Sequence, residues 1–142
     1  MFDGTKTGEW IESDPTNPIG AYGRTKLEGE RLVTAANPRS VIIRTAWVYC
    51  DFGANFVKTM LRLADKDRLT VVADQHGKPT SAIDLAEAIL SIAPWLIAAP
   101  KGDPLWGVYH YSGAGTTTWA EFAEEIFAQA KARGMIEKSP EV

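Results

Sequence analysis

Tyr22 and Lys26 lie four residues apart in the stretch Asn17-Pro18-Ile19-Gly20-Ala21-Tyr22-Gly23-Arg24-Thr25-Lys26. On a helix this spacing puts them on one face, one turn apart. An ammonium beside a phenol favours the phenolate, so the phenol can both give and take a proton near neutral pH. Reduction of a ketone, or oxidation of an alcohol, needs such an acid–base pair. Taken alone, the spacing also fits an exposed helical tyrosine beside a solvated lysine.

A second candidate is Trp47, in Arg44-Thr45-Ala46-Trp47-Val48-Tyr49. The β-branched run Val41-Ile42-Ile43 before it lacks alternation, which suits a strand buried on both faces of a parallel sheet. Ligands of open α/β sheets gather at the carboxyl ends of strands. There, an indole offers a flat apolar surface and one N–H donor to a sugar or base. A core aromatic is the competing reading. Trp10, Trp95, Trp106 and Trp119 have no such context and read as packing residues.

Other groups carry weaker signals. Gly113-Ala114-Gly115 follows a predicted strand, as a dinucleotide fingerprint would, but Thr118 stands where the third glycine belongs. No room remains after it for a further βαβ unit with its acidic ribose ligand. It reads as a tight turn feeding a helix. His76 and His110 have no ligand partners nearby in sequence, and no metal motif is expected. Asp84 and Glu87 read as a solvated helix face. Cys50 is the only cysteine, so no disulfide can form within the chain, and a reducing, cytoplasmic setting is expected.

These residues must be positioned by a chain that reads as α/β. Residues 3–18, rich in Gly, Thr, Asp and Pro, form an extended loop. A helix follows over 20–36, with Leu27, Leu32 and Val33 among its apolar positions, and Asn37-Pro38 ends it. Residues 40–49 are a strand, 55–66 a helix, 69–73 a short strand and 75–80 a loop. Residues 81–97 are a helix with a bend or end at Pro94. Residues 107–112 are a strand and 118–132 a helix. Thr118 and Glu121 make a capping box at the start of that last helix, and Gly134 supplies its stop. Helices alternating with strands indicate a sheet with helices packed against it. The 142 residues suffice for one domain with a core, and 45% hydrophobic content is ordinary for a globular protein. A net charge of −3 without any basic run argues against nucleic-acid binding. The longest apolar stretch, 82–99, is interrupted by Asp84, Glu87, Ser91 and Pro94 and is too short for a membrane span. No signal peptide opens the chain.

Several segments together resemble one family. They are Phe2-Asp3-Gly4-Thr5-Lys6, Asp14-Pro15-Thr16-Asn17-Pro18, the stretch from Tyr22 to Glu30, Ile43 to Tyr49, Asn55 to Met60, Asp74 to Thr80 and Gly107 to Gly113. In that order they look like the dTDP-4-dehydrorhamnose reductases, which are extended short-chain dehydrogenase/reductases. The Tyr-x-x-x-Lys pair marks only the superfamily, and the other segments narrow it. The resemblance implies a partial Rossmann-like parallel sheet with flanking helices. It implies NADPH-dependent (or NADH-dependent) reduction of the 4-keto group of dTDP-6-deoxy-L-lyxo-4-hexulose to dTDP-L-rhamnose. Tyr22 would be the proton donor, and Lys26 would hold the nicotinamide ribose and stabilise the tyrosinate. Trp47, Asn55 and Gln75 would face the nucleotide sugar. The family's phosphate-binding half and its catalytic Ser/Thr would lie upstream of Met1. The expectation is therefore a single partial domain over 1–142, inactive by itself, with a homodimer left open for the full-length protein. Cys50 stands where the family usually has Gly. Two other readings stay open: a non-catalytic regulatory subunit of the same fold that binds a partner enzyme, and another nucleotide-sugar reductase or epimerase.

Overall fold

A computed structural model describes all 142 residues. The chain forms two compact units: Met1–Arg44 with Ile89–Tyr111, and Thr45–Ala88 with Ser112–Val142.

The first unit carries helix α1, Ala21–Ala36. Gly20 caps its start without a side-chain bond, and Asn37 ends it with an N–H to the Val33 carbonyl at 2.8 Å. Leu27 is the buried residue of this helix, whereas Leu32 and Val33 stay exposed. Strand β1, Val41–Arg44, pairs in parallel with a later strand, Gly107–His110, Val41 opposite Gly107 and Arg44 opposite His110. The expected burial on both faces is not met, since all four residues of β1 are only half-buried. With a single ladder neighbour, β1 sits at an edge rather than in the middle of a wide sheet.

The run 40–49 does not continue as one strand. It breaks at Thr45–Trp47, where Trp47 takes φ 46°, and resumes in the second unit as β2, Val48–Tyr49. Helix α2, Phe56–Arg62, is shorter than the expected 55–66, with Asn55 as its N-cap. No strand forms over 69–73; only Arg68 makes an isolated bridge, to Glu141. That segment has β-forming residues but no ladder partner. The expected loop 75–80 instead holds two short strands, β3 (His76–Gly77) and β4 (Thr80–Ser81). Both find partners distant in sequence: β4 runs parallel to β2, and β3 runs antiparallel to Thr117–Thr118.

Helix α3, Ala82–Ala98, passes through Pro94 without ending there. It buries no residue, and Trp95 is 69% exposed, so this tryptophan is not the packing residue expected. Gly107–His110 is β5, Thr117–Thr118 is β6 and Trp119–Ala132 is α4. The capping box forms in full: Thr118 Oγ1 accepts from Glu121 N at 3.1 Å, and Glu121 Oε2 accepts from Thr118 N at 2.8 Å. Gly134, at φ 67°, closes the helix, with Met135 N donating to Ala130 O and Gly134 N to Lys131 O. Ala123, Ile126, Phe127 and Ala130 form the buried stripe of α4, at the i, i+3, i+4, i+7 spacing of an amphipathic helix. With Met60 and Ala64, the first three of these build the core cluster of the second unit.

Candidate active site

Tyr22 and Lys26 sit in the first turns of α1, and the structure brings them together. Lys26 Nζ lies 5.5 Å from the Tyr22 ring centroid. Tyr22 is 76% exposed and Lys26 is also exposed, so both can meet a ligand.

The N-terminal loop fixes the entry to this helix. A Cβ on Gly23 would come 2.9 Å from Pro18 Cβ, so only glycine allows the loop to lie so close to α1. Asp3 accepts from Thr5 N at 3.0 Å, Thr5 Oγ1 at 2.7 Å and Asn17 Nδ2 at 3.0 Å. Those bonds, the Thr5 backbone N–H foremost, lower the Asp3 carboxyl to about 2. Asp14 accepts from Lys6 Nζ at 2.5 Å and Ile11 N at 2.8 Å, and it too is held below its usual range, by the Lys6 bond first.

Sequence reasoning missed a network that ties this loop to α1 and the β1–β5 ladder. Phe2 stacks on Trp10 with centroids 4.5 Å apart, and His110 packs edge-on against Phe2 at 5.6 Å. Glu12 Oε1 accepts from His110 N at 2.7 Å, which lowers the Glu12 carboxyl. Arg44 pairs with Glu30 of α1, its Nη2 2.8 Å from Oε2, and lies over the Phe2 ring at 5.5 Å. Phe2-Asp3-Gly4 was legible as a motif. Its partners lie as far off as His110, more than a hundred residues away, and no local signal marks them.

The remaining candidates belong to the second unit. Trp47 stacks on Trp119, centroids 3.6 Å apart and planes 17° apart; Phe56 packs against Trp119 at a 54° tilt and stacks on Phe122. A Cβ on Gly77 would lie 2.3 Å from Trp47 Cε2, so the 75–77 segment runs directly against the indole. Trp47 is half-buried, and Trp119 covers its ring face. Trp119 is thus the packing residue expected, and the surface it packs on is Trp47. Asn55 uses both ends of its amide on the backbone: Oδ1 accepts from Lys58 N at 3.1 Å, and Nδ2 donates to Cys50 O at 2.6 Å. Gln75 is exposed, two residues before Gly77. The glycine segment after β5 is a bend with Gly115 at φ 78°, leading through β6 into the capping box.

The profile of the family described as RmlD substrate binding domain matches residues 1–141. The chain belongs to that family. The dTDP-4-dehydrorhamnose reductase of Sinorhizobium fredii is 51% identical over 129 residues, covering 90% of this chain and 43% of that protein. Among solved structures, a dTDP-4-dehydrorhamnose reductase from Clostridium acetobutylicum superposes with TM-score 0.82 at 44% identity, over 92% of this chain and 44% of that one. A Bacillus anthracis dTDP-4-dehydrorhamnose reductase in complex with NADP gives TM-score 0.81 at 37% identity, over the same shares. The chain therefore spans less than half the length of these relatives. As an RmlD-family chain it has the expected α/β architecture, with parallel β1–β5 and β2–β4 ladders and helices beside them. No helix of this family member is long and apolar enough to cross a membrane.

Proposed function

We propose that residues 1–142 carry the acid–base pair of a dTDP-4-dehydrorhamnose reductase, which reduces the 4-keto group of dTDP-6-deoxy-L-lyxo-4-hexulose to give dTDP-L-rhamnose. The observation that supports this best is the exposed Tyr22–Lys26 pair, 5.5 Å from ammonium to ring centroid, in a chain matched to the family over 1–141. Reduction of the ketone adds a hydride to carbon and a proton to oxygen. The reduced nicotinamide of NADPH or NADH supplies the hydride when bound. Tyr22 gives its phenolic proton to the carbonyl oxygen, which becomes the new hydroxyl. The phenolate left behind is stabilised by the Lys26 ammonium. The three N–H donors of Lys26 and the phenol of Tyr22 suit the vicinal hydroxyls of a ribose, so the same two residues would hold the nicotinamide nucleoside.

Gln75 faces the sugar in this reading, with only the part of Trp47 that Trp119 and the 75–77 segment leave open. Asn55 spends one N–H on Cys50 O and one Oδ1 lone pair on Lys58 N, and its second N–H is the donor it offers to the nucleotide sugar. Cys50 is a free thiol, in keeping with a cytoplasmic setting. The 142 residues hold no glycine-rich phosphate loop between a strand and a helix. The chain by itself should therefore not turn over the keto-sugar, since the nicotinamide is not held near Tyr22.

The test is turnover by the full-length reductase carrying Tyr22→Phe. General acid catalysis contributes about 100- to 10,000-fold, so kcat should fall by at least the lower figure while the melting temperature holds. Near-normal turnover would overturn the assignment. Oxidation of NADPH by the 142-residue chain supplied with the keto-sugar, above a protein-free control, would overturn the expectation that it is inactive alone.

A further inference from the structure

His110, the last residue of β5, has a partner at each ring nitrogen. Nδ1 lies 3.2 Å from the Trp10 carbonyl oxygen, and Nε2 lies 3.4 Å from Arg44 Nη1. A carbonyl oxygen only accepts and a guanidinium only donates. Nδ1 therefore carries the proton and Nε2 the lone pair. The ring thus joins the N-terminal loop, through Trp10, to β1, through Arg44. The loop is fastened to the same residue twice more: Phe2, stacked on Trp10, takes the imidazole edge-on, and Glu12 accepts from His110 N. From there the loop runs to α1. Asn17 N donates to Met1 O at 3.1 Å and Asn17 Nδ2 to Asp3 at 3.0 Å, and Pro18 packs on Gly23, next to Tyr22.

Arg44 cannot turn away from the imidazole. Glu30 of α1 holds its Nε and Nη2, and its guanidinium lies over Phe2. A second ring proton would set N–H against N–H at Nε2, with a positive charge on each side. The other charged groups facing the ring are the loop carboxylates Glu12 and Asp14. Glu12 is engaged with the backbone of His110, and Asp14 with Lys6 and Ile11 N. A protonated ring must therefore swing off Arg44, and the swing gives up Trp10 O and the Phe2 edge.

We propose that His110 is a positioning residue: as the Nδ1–H tautomer it clasps the 1–18 loop to the β1–β5 ladder, and protonation of its ring opens the clasp and loosens the entry to the Tyr22 helix. Only the consequence for turnover rests on the reductase reading. Nitrogen NMR of the 142-residue chain near neutral pH should find Nδ1 protonated and Nε2 bare; the reverse would overturn the proposal. Asparagine can return the donor of Nδ1, whereas glutamine reaches toward Nε2. Hydrogen-exchange protection of the Asp14 and Asn17 amides should stay within about twofold in His110→Asn and fall about fivefold or more in His110→Gln. Equal protection in the two variants would make His110 a packing residue only. From about pH 8 to about pH 5, where imidazole changes charge, protection should fall in the parent and hold in His110→Asn. Asp3, Glu12 and Asp14 stay charged there, being held below their usual range, and the other histidine, His76, belongs to the second unit. Constant protection in the parent, or an equal fall in His110→Asn, would overturn the proton-driven opening. In the full-length reductase His110→Gln should lower kcat/KM by about fivefold or more and His110→Asn should restore it. Unchanged kcat/KM in His110→Gln would overturn the link to Tyr22, and every one of these outcomes leaves the Tyr22→Phe test standing.

Discussion

Arg44, the last residue of β1, grips the Glu30 carboxylate of α1 along one edge of its guanidinium: Nε lies 3.0 Å from Oε1 and Nη2 2.8 Å from Oε2. Both side chains are only 14% exposed. Glu30 follows Lys26 by one helical turn and Tyr22 by two, so this ion pair sets the rotation of the helix that presents them. Glu30→Ala would leave the guanidinium unpaired in a largely buried place. The expected cost is about 1–3 kcal/mol, read from urea unfolding. Glu30→Gln, which can still accept one bond, should cost less. A Glu30→Ala chain as stable as the parent would show that other contacts orient α1.

Lys26→Met should separate function from stability. Its ammonium has no carboxylate partner within ion-pair distance, and the residue is exposed, so unfolding should change by less than about 0.5 kcal/mol. If the proposed reductase activity holds in a full-length protein, the loss of a charged donor there should cost roughly ten- to hundredfold in kcat/KM, with a higher KM for the nicotinamide cofactor. Unchanged kinetics would return Lys26 to the status of a solvated surface residue.

Two glycines should respond in opposite directions to alanine. At Gly113 a Cβ would stand 2.0 Å from the Pro79 carbonyl oxygen, next to the fully buried Thr80, whose hydroxyl accepts from Gly113 N at 3.2 Å. Gly113→Ala must push β4 away and should cost about 1–3 kcal/mol. Gly29, inside α1, has nothing within 4 Å of its would-be Cβ. Gly29→Ala should stabilise by about 0.5–1 kcal/mol. Calorimetric melting of the two variants reads both signs.

Acid should loosen the loop that leads into α1. Asp3 is lowered from 3.8 to about 2 by the bonds from Thr5 and Asn17. A carboxyl lowered in the folded state contributes stability above its unfolded value, and that contribution fades as pH falls toward the folded one. The window is thus from 3.8 down to about 2. Asp14, Glu12 and Glu121 are lowered as well, so their contributions are lost in the same direction. Asp3→Asn should flatten the pH dependence of unfolding within that window. A carboxyl titration by NMR that finds Asp3 at an ordinary value would remove the basis of this expectation.

Local chemistry was enough to read all four helices, α2 at greater length than it has, and the meeting of Tyr22 with Lys26 on one helix face. Asn37-Pro38 stops α1, and Thr118 with Glu121 starts α4, because caps are satisfied within a few residues of themselves. Tyr22 and Lys26 meet because a helix puts residues four apart on one face, whatever surrounds it. The segments that resembled the reductases were equally present in the residue order, and the match over 1–141 agrees with them.

Tertiary structure decided the rest, wherever a group's partner comes from far along the chain. Residues 69–73 have β-forming side chains but no ladder partner, whereas His76-Gly77 and Thr80-Ser81 look like a loop and become strands because Thr117–Thr118 and Val48–Tyr49 reach them. The β-branched and aromatic run 40–49 favours one strand throughout, yet Trp47 leaves the ladder at φ 46° and stacks on Trp119, seventy-two positions later. Arg44 and Glu30, and likewise Glu12 and His110, carry no mark in sequence that they pair. Backbone preferences of about a kcal/mol or less per residue are overruled when an aromatic stack or a buried ion pair sets the geometry. Those contacts exist only once the chain has closed loops of tens of residues around them.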